Sequence, residues 1–213
     1  MIIISHRGYW SAEKYKNSKV SFKKSFQFGF GVETDIRDHK GELVVSHDMP
    51  DDDSMLLCSF FSLYSKYGNN LPLALNIKSD GLQGKLKNLL KEYNITNYFV
   101  FDTSIPDGLS YLNEKMVYFA RQSEYEVIPS LYDKSDGIWL DGFKENWITV
   151  DTIRGHLLNK KNICIVSPEL HGRPFDGEWG RYKEMGVVLG ADAEKIMICT
   201  DFPEHARRFF HEG

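Results

Sequence analysis

Eight short β-like runs alternate with longer helical stretches, and this alternation constrains the fold more than any other feature of the chain. The predicted strands lie at residues 2–5, 32–37, 73–77, 98–102, 116–120, 137–140, 162–167 and 196–200. Strands that alternate with helices pair in parallel, and eight such units predict an α/β fold, a single-domain (β/α)8 TIM barrel over residues 1–213. An open doubly wound sheet is the alternative, but no glycine-rich nucleotide motif follows the first strand.

Capping and turn signals refine this pattern. Ser18 is a candidate N-cap for a helix that Gly29 ends, and Ser79 or Asp80 is a candidate N-cap for the helix after the third strand. A second β-like run at residues 43–46 follows a turn and predicts an antiparallel extension of the second strand. The last three helices are predicted at residues 149–158, 178–189 and 203–210.

Composition limits the functions that are open to the chain. Hydrophobic residues make up 42% and charged residues 26%, which excludes a disordered or collagen-like chain. The 26 basic and 30 acidic residues give a net charge of −4, which argues against a nucleic-acid binder and against a polybasic membrane anchor. No apolar run is long enough to span a bilayer, and the apolar run at residues 1–4 is too short for a signal peptide.

The cysteines indicate the cellular compartment. Cys58, Cys164 and Cys199 are odd in number and widely spaced, which indicates reduced packing residues rather than a disulfide framework or a zinc site. We therefore expect a cytoplasmic protein with no integral membrane segment and no nucleic-acid partner.

The second predicted strand carries the first candidate site. Because side chains alternate along a strand, Glu33 and Asp35 point to one face, and Val32, Thr34 and Ile36 point to the other. Two carboxylates on one face repel each other unless one is protonated or a cation lies between them. Hard oxygen ligands favour Mg²⁺ or Ca²⁺. The pattern indicates a divalent-metal site, with an exposed edge strand of solvated acids as the alternative.

Polar residues also follow other predicted strands, at the strand ends where barrel active sites lie. His6 and Arg7 follow the first strand, and His47 follows the extension of the second. Asn76 and Lys78 end the third strand and share one of its faces. His moves protons near neutral pH, Arg and Lys bind phosphate oxygens, and an amide oxygen binds a hard metal. This set of groups suits metal-assisted phosphodiester cleavage, whereas structural histidines and a solvated lysine are the alternatives.

Two further candidates follow the seventh predicted strand. His171 and Arg173 lie in the segment after residue 167, and we predict that they contact the substrate. A guanidinium group suits a pair of phosphate oxygens.

Together these motifs resemble the glycerophosphodiester phosphodiesterase family, within the wider group of phospholipase-C-like phosphodiesterase barrels. The matching stretches are His6-Arg7-Gly8, Asn17-Ser18, Glu33-x-Asp35, Val44-Val45-Ser46-His47-Asp48, Lys78 at the end of strand three, and Thr200-Asp201-Phe202-Pro203. Their order and spacing agree over the first 80 residues and about the last 18. Residues 81–195 share only the alternation of strands and helices.

The resemblance implies a role for each matched strand-end residue. It implies metal binding by Glu33 and Asp35, acid/base catalysis by His6 and His47, and phosphate binding by Arg7 and Lys78. Two departures from the family stand out. Asn76 occupies the position of a third acidic ligand, and the short segment between His47 and Leu73 lacks the inserted subdomain that is usual in the family.

The sequence therefore predicts a divalent-metal-dependent phosphodiester hydrolase that acts on a small molecule, with Glu33, Asp35 and Asn76 as ligands of Mg²⁺ or Ca²⁺ and with a His pair for acid/base catalysis. Two alternatives stay open. One is a lipid head-group phosphodiesterase similar to the sphingomyelinase D enzymes, which needs an exposed apolar rim, although the sequence has no long hydrophobic loop. The other is a barrel that binds metal and a phosphorylated ligand but turns over little because of Asn76.

Overall fold

A computed structural model of the chain describes residues 1–68 and 70–212; residues 69 and 213 of the predicted domain lie outside this part. The strands are β1 (Ile2–His6), β2 (Gly31–His39), β3 (Glu42–Val45), β4 (Met55–Leu56), β5 (Leu73–Ile77), β6 (Tyr98–Phe101), β7 (Phe119–Gln122), β8 (Gly137–Leu140), β9 (Asn162–Val166) and β10 (Ile196–Thr200). The α-helices are α1 (Lys19–Gln27), α2 (Leu57–Tyr67), α3 (Gln83–Glu92), α4 (Ile105–Asn113), α5 (Val150–Leu158), α6 (Asp176–Leu189) and α7 (Pro203–Arg207). Within these residues, no helix has the length and hydropathy of a membrane span.

The chain divides into two compact units. The N-terminal unit comprises Ile4–Tyr118, and the C-terminal unit comprises Met1–Ile3 and the chain from Phe119 onward. In the N-terminal unit, β1, β2, β5 and β6 pair in parallel in that order, and β3 and β4 extend the sheet in antiparallel pairing from β2. In the C-terminal unit, β7, β8, β9 and β10 pair in parallel in that order. The prediction that residues 1–213 form one domain stays a prediction.

Two predicted helix starts are confirmed, and one is wrong. The Ser18 side chain accepts a hydrogen bond from the Ser21 amide at the start of α1, and the Thr149 side chain caps α5 in the same way. By contrast, α3 begins at Gln83 without a side-chain cap. Ser79 and Asp80 are engaged elsewhere, because the Ser79 hydroxyl donates to Asp38 and Asp80 accepts from Ser104.

The fifth predicted strand is displaced along the chain. We expected residues 116–120, whereas β7 spans Phe119–Gln122. Tyr118 makes only an isolated bridge to Val100, and the strand continues into the polar residues Arg121 and Gln122. The prediction followed hydrophobicity, so that it included the apolar residues at the start of this region and omitted the polar residues at the end of the strand. The antiparallel extension predicted at residues 43–46 is confirmed by β3.

Aromatic side chains make up much of the core of each unit. In the N-terminal unit, Phe22 of α1 packs against Phe60 of α2 with ring centroids 4.6 Å apart, and both rings are fully buried. In the C-terminal unit, Trp179 of α6 contacts Phe209 and Phe210. Burial of one such side chain stabilises the fold by about 1.5–3 kcal/mol.

Candidate active site

The parallel register of β1, β2 and β5 brings the predicted site residues side by side. His6 of β1 is paired with Glu33 of β2, and Asp35 of β2 is paired with Asn76 of β5. Registered neighbours in a parallel sheet carry their side chains on the same face. Because Glu33 and Asp35 are two residues apart, they also share that face. Both are buried, with exposed fractions of 1% and 0%, so that the alternative of solvated edge-strand acids is wrong.

Asp35 is surrounded by cationic and amide groups. The Arg7 Nε atom lies 3.1 Å from its Oδ2 atom, and the Asn17 side-chain amide donates to the same oxygen at 2.8 Å. The Lys78 Nζ atom lies 3.5 Å from the Oδ1 atom and 3.7 Å from the Asp102 Oδ2 atom. The structure thus brings both predicted phosphate-binding cations against a predicted metal ligand.

Glu33 has fewer compensating contacts. Its Oε1 atom accepts a hydrogen bond from the Asn76 amide at 3.3 Å, and its Oε2 atom accepts one from the Arg7 backbone amide at 3.2 Å. The His6 Nε2 atom lies 3.8 Å from Oε2. Burial, and secondly the charge of Asp35, raise the pKa of the Glu33 carboxyl to about 7. A cation bound at Glu33 would favour its ionised form.

The backbone after β1 explains why Gly8 follows His6 and Arg7. Arg7 has a φ of 54° and Gly8 a φ of 88°, so that the chain turns sharply where the strand ends. A Cβ atom at Gly8 would lie 2.5 Å from the Ser21 hydroxyl oxygen, which leaves room only for glycine. The turn directs the Arg7 amide to the Glu33 backbone oxygen at 2.9 Å and to the Glu33 side chain.

Two oxygen atoms at this site fit a divalent cation. The Asp35 Oδ1 and Asn76 Oδ1 atoms are buried and accept no hydrogen bond within the described residues. They belong to directly registered residues, and carboxylate and amide oxygens are ligands that Mg²⁺ and Ca²⁺ use. The described residues contain no cluster of three or more His, Cys, Asp or Glu side chains that could hold a metal ion. The third protein ligand here would be the amide of Asn76.

His47 has its ring contact outside this cluster. Its side chain is 43% exposed, and its Nδ1 atom contacts the Asp48 carboxylate at 2.8 Å. The Arg37 side chain donates to the His47 backbone oxygen, which fixes the segment after β3. Within the described residues, no hydrogen bond or ion pair links the His47 ring to Glu33 or Asp35. His47 instead shares a cavity of about 610 Å³ with Asn17.

His171 and Arg173 belong to the C-terminal unit, where each is held by an acidic residue. The His171 Nε2 atom lies 2.5 Å from the Asp141 Oδ1 atom. Arg173 forms an ion pair with Glu178 and donates to the Gly142 backbone oxygen at 2.8 Å. The contacts of Arg173 fix the loop, while His171 keeps part of its ring exposed. That both residues contact substrate stays a prediction.

Sequence reasoning assigned no role to two residues at the N-terminal site. Asn17 bridges two neighbouring residues of β2, because it donates to Asp35 and accepts from the Thr34 hydroxyl at 2.8 Å. Asp102 follows β6 with a left-handed φ of 67° and lies near Lys78. The rule that polar residues at strand ends form the site would have found Asp102. Asn17 precedes a helix, and only its occurrence in the matched Asn-Ser pair pointed to it.

No family model matches the chain, and no curated protein matches it in sequence. Solved structures are similar over the whole length. A candidate glycerophosphodiester phosphodiesterase from Galdieria sulphuraria has a TM-score of 0.75 at 16% identity, covering 98% of this chain and 97% of that one. A phosphodiesterase from Oleispira antarctica, in complex with the product sn-glycerol-3-phosphate, has a TM-score of 0.68 at 14% identity, with coverage of 98% and 96%.

A third similar structure is of a different enzyme. The Ca²⁺-dependent phosphatidylinositol-specific phospholipase C from Streptomyces antibioticus has a TM-score of 0.58 at 9% identity, covering 98% of this chain and 95% of that one. At such low identity the likeness establishes the fold. The chain has the α/β TIM-barrel fold of these solved structures, which confirms the fold class that the sequence predicted.

Proposed function

We propose that the chain is a divalent-metal-dependent phosphodiester hydrolase with its active site at the ends of β1, β2 and β5. The observation that carries this proposal is the buried pair of Glu33 and Asp35, with Arg7 and Lys78 against Asp35. The Asp35 Oδ1 atom, which accepts no hydrogen bond within the described residues, belongs to the residue registered beside Asn76. The fold supports the proposal, because solved structures that share it include a phosphodiesterase and a phospholipase C.

The charges of the site suit an anionic substrate. Arg7 and Lys78 balance the two buried carboxylates, so that a bound divalent cation leaves a net positive site. A phosphodiester carries one negative charge and is attracted to such a site. In the proposed complex, the Arg7 guanidinium and the Lys78 ammonium bind the non-bridging phosphoryl oxygens and stabilise the charge that develops on them.

The proposed reaction divides the proton transfers between the two histidines. A divalent cation held by oxygens of Glu33, Asp35 and Asn76 would polarise a phosphoryl oxygen and acidify the nucleophile. His6, whose Nε2 atom lies 3.8 Å from the Glu33 Oε2 atom, is the proposed acceptor of the proton of the attacking hydroxyl. His47, whose ring contacts Asp48, gives a proton to the leaving oxygen. The nucleophile is water or a neighbouring hydroxyl of the substrate, which would form a cyclic phosphate.

Substrate contacts are also proposed for the C-terminal unit. We retain His171 and Arg173 as substrate-binding residues on the basis of their place after β9. The contact between His171 and Asp141 supports this role for His171, since a carboxylate fixes the orientation of the ring while part of the ring stays exposed.

A substrate screen tests the proposed function. Glycerophosphodiesters, lysolipids and sugar phosphodiesters are each incubated with the protein and with Mg²⁺, Ca²⁺ or Mn²⁺, and release of phosphomonoester or cyclic phosphate is measured. We expect turnover of at least one class with at least one cation. If the protein binds cation and phosphorylated ligand but hydrolyses no diester, it is the low-turnover binding barrel instead.

Asn76 offers a specific test of the metal site. The two carboxylate ligands, Glu33 and Asp35, together carry the two negative charges that neutralise a divalent cation. A third carboxylate at position 76 would make the ligand set more negative and would therefore attract the cation more strongly. We therefore expect Asn76→Asp to raise cation affinity by about tenfold or more, or roughly 1.4 kcal/mol. Calorimetric titration at pH 8 checks this, because that pH lies above the raised pKa of Glu33 and keeps its carboxylate ionised.

Asn88→Asp provides the matched control for this titration. Asn88 lies exposed on α3, so that the same charge is added away from the site and cation affinity should not change. Equal affinity of wild type and Asn76→Asp, with both proteins folded, would show that Asn76 is not a ligand and that the three-ligand site is wrong.

One observation favours a lipid head-group phosphodiesterase as a second candidate. The loop after β7 exposes Val127 by 69% and Ile128 by 86%, next to the exposed ring of Tyr125. The sequence analysis considered only long hydrophobic loops and therefore did not single out this short apolar run. Adjacent exposed aliphatic and aromatic side chains are typical of surfaces that contact a membrane or a protein.

The lipid candidate predicts binding to vesicles. We expect wild type to sediment with phosphatidylcholine vesicles, and Val127→Ser combined with Ile128→Ser to weaken this partition by about tenfold or more, since each inserted side chain contributes about 1.5–3 kcal/mol when fully buried. Val187→Ser combined with Val188→Ser is the control, because these valines are exposed on α6. Absence of wild-type sedimentation, or equal loss in the control, contradicts the lipid candidate.

A further inference from the structure

A polar cavity of about 610 Å³ lies in the N-terminal unit, and we call it the head-group cavity. One wall is the segment Lys16–Lys19 at the start of α1. The other wall runs from the end of β3 to the first turn of α2 and includes His47 and Ser59. The volume is in the range of small-molecule binding sites.

The head-group cavity is connected to the proposed active site through two residues. Asn17 lines the cavity, and its side-chain amide donates to Asp35 at 2.8 Å. His47 lines it as well, with its Nδ1 atom directed to Asp48. Because His47 is the proposed proton donor to the leaving oxygen, the group that departs with that oxygen would occupy this cavity.

The lining excludes several classes of leaving group. Its only apolar side chains are Val45 and Met55, which are too few to hold an acyl chain. None of its described residues is Phe, Tyr or Trp, so that it lacks the aromatic faces that best bind a quaternary ammonium group. The short segment after β3 forms the wall that contains His47, and this segment lacks the subdomain usual in the family.

The charges of the lining are balanced. The lining contains two lysines, Lys16 and Lys19, and two aspartates, Asp48 and Asp53. These charges sum to zero, so that the cavity has no net charge that would select an ionic head group. Lys16 is already engaged by Glu13 at 3.3 Å. Uncharged donors and acceptors complete the lining, and they include the hydroxyl of Ser59, which is exposed on α2. Such a surface satisfies several hydroxyl groups at once.

We propose that the head-group cavity binds a small polyhydroxylated alcohol, the leaving group of the diester. This inference rests on the proposed function and names its substrate class. In the hydrolysis, water adds to phosphorus and gives its proton to His6, while the bond from phosphorus to the polyol oxygen breaks and that oxygen takes a proton from His47. The products are a phosphomonoester and the free polyol.

A pair of diesters with different leaving alcohols tests the inference. Propyl phosphate esters of myo-inositol and of 1-propanol are hydrolysed in parallel, and kcat/KM is measured from release of propyl phosphate. We expect the inositol ester to be favoured by at least about tenfold. Ser59→Leu, which places an apolar side chain in the cavity wall, should reduce this preference to near unity.

Ser65→Leu is the matched control, because Ser65 is exposed on the same helix α2 but does not line the cavity. It should retain the preference of wild type. If wild type hydrolyses both esters equally, or if Ser59→Leu keeps the wild-type preference, the inference is overturned while the proposed function stands. If neither these esters nor an activated aryl diester is hydrolysed, both are overturned.

Discussion

Replacing Glu33 with Gln, or Asp35 with Asn, is expected to slow phosphodiester hydrolysis by at least about a hundredfold, because the charge stabilisation that a bound cation supplies is worth several kcal/mol and each 1.4 kcal/mol is a factor of ten in rate. Both carboxylates are buried on one face of β2, so that a solvent-exposed acidic residue cannot act in the place of either one. In each variant, the steady-state rate of hydrolysis and the cation affinity measured by calorimetry should fall together.

Glu42→Gln is the control for these variants. Glu42 is an exposed carboxylate on the adjacent strand β3, and its loss should leave rate and cation affinity unchanged. Far-UV circular dichroism establishes that each variant is folded. If folded Glu33→Gln and Asp35→Asn both hydrolyse diesters at the wild-type rate, the buried pair is not a metal site.

Removal of either histidine is expected to cost about a hundredfold or more on an alkyl diester, the size of a general acid or base effect. The wild-type rate should follow a bell-shaped pH profile, since one group must accept a proton and the other must give one. An aryl leaving group needs little protonation. The aryl diester should therefore restore the rate of His47→Ala to near that of wild type but not the rate of His6→Ala.

His39→Ala is the control for this series, because His39 ends β2 and pairs with the exposed Asp52. It should retain activity on both diesters. Equal restoration of His6→Ala and His47→Ala by the aryl substrate, or restoration of neither, would contradict separate acid and base roles. Restoration of His6→Ala alone would reverse the two roles.

Much of the site was predictable because strand periodicity and parallel pairing are local rules. The spacing of Glu33 and Asp35 fixed their common face, and the strand-end rule found His6 and Asn76. The register between β2 and β5 then makes Asp35 and Asn76 neighbours, which no motif spacing reveals. The same rules predicted the α/β fold class, since they depend on the alternation of elements rather than on their detailed bounds.

Other features depend on tertiary contacts and were beyond the sequence. Asn17 reaches Asp35 because the loop before α1 folds back onto β2. Asp80 is withdrawn from capping α3 because Ser104, in a later loop, donates to it. The exposure of the His47 side chain follows from the course of the chain after β3, which periodicity does not encode.

The most direct test of the central claim is the rate of bis(4-nitrophenyl) phosphate hydrolysis by the intact chain as a function of free divalent cation. The protein is first freed of metal with a chelator, and Mg²⁺, Ca²⁺ and Mn²⁺ are then added back separately. We expect no turnover in chelator and saturable recovery with at least one cation, and no recovery in Asp35→Asn at the same concentrations. Full turnover in the presence of chelator, or none with any cation, would contradict a metal-dependent phosphodiesterase.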